Sequence, residues 1–288
     1  MVQKVHKVST TPEQMAEIEQ QWIDPVQEDQ ELTTFQLYSQ PSRETAEAQG
    51  NYQLYLPPQY ETEPERRFPV IYWLHGGFGN SRQGSEMVAR IDKAVRNEVI
   101  PPTIVVLPHI LPIGWYVDSK DGARPLAQIT AFDLVDHVDS TYRTIPEAQS
   151  RTVEGFSMGG FGALHLGLKY PKVFGKVSAV APAILRDLKD EPADRVNNTY
   201  FGDQEYYDLC HPWSLVLANA PELRRTSQVR LLSGRLDTRL APTIRDLDTR
   251  FTDLDVAHDF FEFPDADHEY ADIMDGYGDK YYAWWRTV

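Results

Sequence analysis

The segment Gly155-Phe156-Ser157-Met158-Gly159 places a serine between two glycines in the pattern G-x-S-x-G. In this pattern the serine occupies a sharp turn from a strand to a helix, and the glycines let the two backbones approach while the hydroxyl projects outward. An apolar stretch precedes the motif and a helical stretch follows it. We therefore predict Ser157 as a nucleophile. The alternative is a glycine-rich turn with an idle serine.

A serine hydroxyl needs a neighbouring base to accept its proton before it can attack. In proteins that use this turn, the chain order is serine, then an acid, then histidine. His268 follows the last predicted strand on a loop, at the sheet edge where catalytic groups gather, and is the predicted base. Asp237 follows the preceding predicted strand, and we expect it to orient the imidazole. The other downstream histidines are not expected to act: His165, His211 and His258.

The loop His75-Gly76-Gly77-Phe78-Gly79 follows another apolar stretch. Attack on a carbonyl group places negative charge on its oxygen, and two backbone N–H groups can stabilise that charge. One donor is expected from Met158, directly after the nucleophile, and the other from this loop. We predict Gly77 as the loop donor, with Phe78 as the second choice and His75 in a structural role. The alternative is a plain glycine-rich turn.

Acidic residues surround the predicted base. Asp265, Asp267 and Glu269 alternate as in a calcium-binding loop, but Tyr270 stands where that loop needs glycine, and no glutamate occupies its twelfth position. The sequence therefore predicts no metal site, and the predicted chemistry requires no metal or organic cofactor.

The elements around these motifs alternate between strands and helices. Two antiparallel strands are expected at the front of the chain, near 31–38 and 52–56. Later apolar runs predict buried strands, and residues at helical spacing lie between them. This alternation predicts an α/β fold with a mostly parallel central sheet and helices on both faces. The later strands are expected at Phe68–Leu74, Thr103–Pro108, Arg151–Phe156, Val177–Ala183, Gln228–Gly234 and His258–Phe263.

We predict a single domain over residues 1–288. Two of its segments do not follow the alternation of strands and helices. Residues 1–30 form an N-terminal extension with a helix from Pro12 to Gln21, begun by a capping-box-like Thr11. Residues 185–227 form an aromatic-rich insertion. This insertion is either an ordinary helical excursion or a cap over a pocket, because long insertions in compact domains tend to be functional.

Composition excludes several classes of protein. The 288 residues carry 28 Lys and Arg against 43 Asp and Glu, a net charge of −15, which disfavours nucleic acid and anionic membranes as partners. One cysteine, Cys210, cannot form an internal disulfide. We find no secretory signal in MVQKVHKVSTTPEQ and no apolar run that could span a membrane, so we expect a cytoplasmic protein, with homo-oligomerisation left open.

The motifs together resemble the esterase D-like branch of the α/β-hydrolases, which includes feruloyl and acetyl-xylan esterases, S-formylglutathione hydrolases and bacterial mycolyltransferases. The resemblance implies the α/β-hydrolase fold, with Ser157, Asp237 and His268 as nucleophile, acid and base. It also implies that Trp115 and Tyr116 border the acyl pocket. The matching stretches begin near Tyr52 and are YLPPQYE, RFPVIYWLHGGFGN, GWYVDS, GFSMGGFGALHLGLKYP, LSGRLDT and DADHEY.

We therefore expect a serine hydrolase that cleaves a small-molecule carboxylic ester through an acyl-enzyme. The alternatives are an acyltransferase, a thioesterase of the S-formylglutathione type, or a binding protein that kept the fold without turnover. S-formylglutathione hydrolases usually have Thr-Cys after His-Gly, whereas this chain has Gly77-Phe78. Phe78 and Tyr206 are further candidates for contact with the substrate; the alternative for the aromatic residues of the insertion is that they pack it onto the sheet. The net charge favours neutral esters over anionic ones.

Overall fold

The computed structural model describes residues 11–45 and 47–286. Eight strands form one sheet in the order β1-β2-β4-β3-β5-β6-β7-β8. Each strand coincides with one of the predicted apolar or alternating stretches. The strands are β1 (Thr34–Ser39), β2 (Gln49–Tyr55), β3 (Val70–Leu74), β4 (Ile104–His109), β5 (Arg151–Phe156), β6 (Lys176–Val180), β7 (Gln228–Gly234) and β8 (His258–Phe263).

The front of the sheet is antiparallel and the remainder is parallel. Strand β1 pairs with β2, and β2 pairs with β4, in antiparallel register. The pairs from β4 through β3, β5, β6 and β7 to β8 are all parallel. Leu74 lies opposite Gly155, and Phe156 opposite Val180, so the carboxyl ends of neighbouring strands reach the same edge. The predicted sheet is confirmed.

Helices cover both faces of the sheet, as predicted. Within β3, Val70, Tyr72 and Leu74 belong to one buried cluster, and Ile71 and Trp73 belong to the other. The first cluster also contains buried residues of α5, α6, α9 and α10, and the second those of α3, α11 and α12. The helices are α1 (Pro12–Ile18), α2 (Gln59–Thr62), α3 (Ser85–Arg96), α4 (Leu126–Gln128), α5 (Leu134–Thr141), α6 (Met158–Lys169), α7 (Ala193–Arg195), α8 (Gln204–Cys210), α9 (Pro212–Thr226), α10 (Ala241–Asp253), α11 (Tyr270–Tyr277) and α12 (Lys280–Ala283).

Several boundaries differ from the sequence expectation by one to three residues, among them the ends of α1 and β6. Helix α1 begins at the predicted capping box, in which Thr11 and Gln14 bond each other's backbone N–H groups, but it ends at Ile18 rather than Gln21. The carbonyl of Gln21 lies 2.6 Å from Nε2 of His109, outside the helix. Strand β6 ends at Val180 because Ala181 has a φ of 40°, outside the strand region. Residues 1–10 of the predicted N-terminal extension lie outside the described residues.

The insertion is mostly helical, and one of its residues lines the cavity beside Ser157. Its second half contains α8 and α9, and buried residues of α9 pack with those of α6 in one cluster. Its first half contains α7 and a π-helical turn at Val196–Tyr200, and Pro192 in this half reaches the cavity described below. Across residues 11–45 and 47–286, no helix is both long and apolar enough to cross a membrane.

Candidate active site

Ser157 occupies the turn between β5 and α6 in a conformation that few residues adopt. Its φ is 58° and its ψ is −115°, and such strained backbone is concentrated at functional sites. The two flanking glycines allow this turn. A Cβ at Gly155 would collide with the carbonyl of Gly159, and a Cβ at Gly159 would collide with the carbonyl of Leu74. The G-x-S-x-G spacing therefore brings β5, α6 and β3 close together beneath Ser157.

His268 links Ser157 to Asp237 through both of its ring nitrogens. The Nε2 atom lies 2.8 Å from Ser157 Oγ, and Nδ1 lies 2.8 Å from Asp237 Oδ2. The Phe156 ring packs against the imidazole at a centroid distance of 4.9 Å. The three side chains predicted from strand ends are therefore brought together in one hydrogen-bonded chain. This arrangement suits transfer of a proton from the hydroxyl to the imidazole.

Asp237 remains ionised in this setting. Burial by itself raises the pKa of the carboxyl, but hydrogen bonds from His268 and from the N–H groups of Leu240 and Arg239 outweigh that effect. The net result is a pKa below the usual value for aspartate. An ionised Asp237 fixes Nδ1 of the imidazole as the protonated nitrogen and leaves Nε2 free to accept from Ser157.

The loop after β3 leaves one N–H group unpaired beside Ser157. The N–H of Gly76 donates to Gln83 Oε1 at 2.7 Å, that of Phe78 to the Pro112 carbonyl at 2.7 Å, and that of Gly79 to the Gly76 carbonyl at 3.0 Å. Gly77 lines the cavity at Ser157, and within residues 11–45 and 47–286 its N–H has no partner.

Phe78, the second choice as loop donor, is therefore excluded, because its N–H is already bonded and its ring is exposed. The N–H of Met158, at the first position of α6, has no helical partner and is the second available donor.

His75 holds this loop from below. Its Nδ1 lies 2.8 Å from the Gly76 carbonyl, and the Ile110 N–H donates to its Nε2 at 3.3 Å. Burial, together with the neighbouring His109, lowers the pKa of His75 to about 3, so the ring stays neutral.

A cavity of about 300 Å³ opens at Ser157. The cavity is lined by Ser157, Asp237 and His268 and by residues from the loop after β4, the insertion and the start of α10. The residues from the insertion and from the start of α10 carry no motif, so no sequence pattern points to them. The lining residues are Gly77, Trp115, Ser157, Met158, Ala183, Pro192, Asp237, Arg239, Leu240 and His268.

The four predicted aromatic contacts occupy different places, and Phe78 is exposed and is not among the residues that line the cavity. Trp115 lines the cavity, as expected. Tyr116 does not: it is fully buried beneath the loop and donates to the His75 carbonyl at 3.1 Å. Tyr206 also lies away from the cavity, because its hydroxyl donates to the Asp118 carbonyl at 3.0 Å and joins the insertion to that loop. Trp115 in turn stacks on the buried guanidinium of Arg195, 3.7 Å from the ring centroid.

The remaining downstream histidines form hydrogen bonds away from Ser157. His165 is buried on α6 with Nδ1 2.9 Å from the Cys210 carbonyl, and His211 caps the start of α9. His258 binds Asp248 at 2.8 Å. None of these rings reaches Ser157, which leaves His268 as the base that the geometry supports.

Comparison with known proteins identifies the family. The family model Esterase, described as "Putative esterase", matches residues 44–287. An esterase of Mycobacterium tuberculosis strain H37Rv is 35% identical over 135 residues, which are 46% of this chain and 29% of the relative. Its counterpart in strain CDC 1551 shows the same values. The aligned part of the chain therefore spans less than a third of these curated relatives.

Solved structures share the fold at low sequence identity. A ferulic acid esterase superposes with a TM-score of 0.74 at 18% identity, covering 89% of this chain and 98% of that chain. The fluorophosphonate-binding serine hydrolase F of Staphylococcus aureus gives 0.71 at 16%, covering 88% and 98%. An S-formylglutathione hydrolase of Agrobacterium tumefaciens gives 0.69 at 18%, covering 92% and 99%. With the family model spanning most of its length, the chain belongs to the esterase family and has the α/β-hydrolase fold.

Proposed function

We propose that this protein hydrolyses a carboxylic ester through a covalent acyl-enzyme on Ser157. The observation that carries the proposal is the chain Asp237–His268–Ser157, with 2.8 Å at each link, opening into the cavity. Membership of the esterase family and the esterase names of the relatives support the same reaction class.

In the proposed reaction, Ser157 Oγ bonds to the ester carbonyl carbon while His268 Nε2 accepts the hydroxyl proton. The N–H groups of Gly77 and Met158 stabilise the oxyanion. The intermediate collapses, the alcohol leaves with the proton from His268, and an acyl-enzyme remains. Water then attacks the acyl carbon, His268 accepts its proton, and the acid and free Ser157 are released. Asp237 orients the ring and stabilises its charged form throughout.

The cavity limits the substrate. A volume of about 300 Å³ is at the lower end for small-molecule sites, so we propose a compact group next to the scissile bond. Two structurally similar proteins are a ferulic acid esterase and an S-formylglutathione hydrolase, which makes an ester of an aromatic acid and a thioester the natural comparisons. Acyl transfer to an alcohol in place of water is the alternative outcome at the same site.

A fluorophosphonate probe tests the nucleophile, and ester turnover tests the triad. We expect labelling of the natural protein and none of Ser157→Ala. Both Ser157→Ala and His268→Ala should lower turnover by several orders of magnitude, and the double variant should lose little more because the groups act as a unit. His258→Ala is the control, because that ring pairs with Asp248 instead. An unlabelled Ser157, or a His268→Ala variant with full activity, would refute the proposal.

A further inference from the structure

Arg239 lies in the wall of the cavity and carries a positive charge. It follows Asp237 by two residues in the turn between β7 and α10, and it is exposed to solvent. Its backbone N–H contributes to holding the Asp237 carboxylate, which fixes the position of the turn. The side chain therefore extends from a fixed backbone at the mouth of the cavity.

The Arg239 side chain is unpaired in a chain whose acidic residues outnumber its basic ones. Within residues 11–45 and 47–286, its guanidinium has no hydrogen bond, ion pair or aromatic contact. All other arginines have at least one: Arg43, Arg66, Arg67, Arg82, Arg90, Arg96, Arg124, Arg143, Arg151, Arg186, Arg195, Arg224, Arg225, Arg230, Arg235, Arg245, Arg250 and Arg286. An arginine left without an acidic partner beside Ser157 is thus available to a bound molecule.

We propose that Arg239 binds a carboxylate of the substrate, so that the preferred esters carry a negative charge near the scissile bond. This inference rests on the proposed ester hydrolysis. A guanidinium presents paired donors that match a carboxylate, and such charged hydrogen bonds are about twice as strong as neutral ones. The other charged group of the wall that could repel an anion, Asp237, is held by His268 and by the Leu240 N–H.

The net charge of −15 acts at longer range, and it is the reason that the composition favours neutral esters. At physiological ionic strength the field of exposed charges is screened over about 8 Å. A carboxylate in contact with Arg239 therefore experiences the guanidinium more strongly than the distant surface charges. The acidic surface slows the arrival of the anion, whereas Arg239 stabilises it once it is bound.

Matched substrates separate the charge from the shape. On the alcohol side we compare para-butyryloxybenzoate with para-butyryloxybenzamide, and on the acyl side the phenyl monoester of glutaric acid with the phenyl ester of glutaramic acid. In each pair a carboxylate is replaced by a carboxamide of similar size. The quantity measured is the ratio of kcat/KM for the carboxylate to that for the carboxamide, and the pair with the larger ratio locates the anion.

We expect the ratio to exceed one in the natural protein and to fall by about tenfold or more in Arg239→Gln, mainly through KM, since a hydrogen bond to a charged group is lost. Arg239→Lys should restore part of the ratio. Arg235→Gln is the matched control: Arg235 is exposed, lies four residues earlier, binds Glu262 and does not line the cavity. It should leave the ratio unchanged.

A ratio equal in the natural protein and in Arg239→Gln, for both pairs, would overturn the inference. So would an equal loss in Arg235→Gln, which would indicate a general effect of surface charge. Cleavage of the ester bond in the carboxamide-bearing substrates by the natural protein tests the proposed function separately. If no ester is cleaved and the fluorophosphonate does not label Ser157, ester hydrolysis itself has failed, whereas cleavage without charge preference refutes only the role of Arg239.

Discussion

At the scale of single residues, Trp115 and Tyr206 show why an aromatic side chain near a site is ambiguous in sequence. Trp115 has a φ of 59° and lines the cavity. Tyr206 uses its hydroxyl to bind the Asp118 carbonyl and packs against Tyr200 at a centroid distance of 6.2 Å. The two residues therefore differ in place: Trp115 lines the cavity, and Tyr206 attaches the insertion to the loop after β4.

We expect Trp115→Phe to change the ratio of kcat/KM between a bulky aryl acyl group and an acetyl group by about tenfold, because contacts in an apolar pocket discriminate at that level. Phenylalanine retains a ring over Arg195, so the fold should persist. Tyr206→Phe, which removes only the hydroxyl, should leave the ratio unchanged. Steady-state kinetics on both esters measure the ratio, and a melting curve shows whether each variant is folded. A shift of selectivity in Tyr206→Phe alone would reverse the assignment.

At the scale of elements, the sequence predicts a catalytic triad because each proposed member follows a strand. Ser157 comes directly after β5, Asp237 after β7 and His268 after β8, and parallel strands end at one edge. That reasoning supplies proximity but no distances. Pro192, Leu240 and Arg239 enter the cavity through loops whose paths depend on tertiary packing. Their residue types carry no motif, so no local pattern in the sequence could have identified them.

The N-terminal segment reaches the loop after β3 by two routes. The Gln21 carbonyl lies 2.6 Å from His109 Nε2, and the His109 ring stacks on His75 at a centroid distance of 5.9 Å. Asp24, which is fully buried, accepts a hydrogen bond of 3.0 Å from Ser81 Oγ. His75 and Ser81 lie on either side of Gly77, so the segment supports both ends of the loop that presents the Gly77 N–H.

We therefore expect Asp24→Ala to lower kcat for ester hydrolysis by about tenfold with little change in KM. Loss of an oxyanion donor costs ~10²–10³ in kcat elsewhere, and a displaced donor should cost less. Asp29→Ala is the control. Asp29 lies in the same segment but accepts a hydrogen bond of 2.7 Å from the Phe35 N–H of β1 and not from the loop after β3.

Kinetics well below the melting temperature separate positioning from stability. If Asp24→Ala has a lower melting temperature but the same kcat, or if Asp29→Ala loses kcat equally, the segment stabilises the fold and does not position the Gly77 N–H.

At the scale of the whole molecule, a buried polar network holds the sheet to the C-terminal helices. Arg230 on β7 pairs with Glu154 on β5 at 2.8 Å, and Ser178 on β6 donates to the same carboxylate at 2.6 Å. The Tyr281 hydroxyl of α12 donates to the other carboxylate oxygen at 2.7 Å. Because these partners come from four elements, the strand that carries Ser157 is fixed by residues distant in sequence.

Three buried histidines make the stability of the molecule sensitive to acid. Burial is the main cause that lowers the pKa of His75 and His165 to about 3 and that of His211 to about 4. In the unfolded chain the value is about 6.5. Below that pH the unfolded chain binds protons that the folded chain does not, so acidification favours unfolding. The lowered pKa values of His109 and His137, also caused by burial, act in the same direction.

We expect the free energy of unfolding to be nearly constant above about pH 6.5 and to fall below it, down to about pH 4, by ~1.4 kcal/mol per pH unit for each fully shifted histidine, or ~4 kcal/mol for the three. His211→Asn should lower the slope by the contribution of one histidine, ~1.4 kcal/mol per pH unit. Asparagine can replace the Nδ1 acceptor that receives the Trp213 N–H at 3.2 Å and caps α9, and it does not titrate. Urea unfolding between pH 5 and pH 8 measures the slope. A stability that rises on acidification, or an identical slope in His211→Asn, would show that these rings do not govern the acid sensitivity.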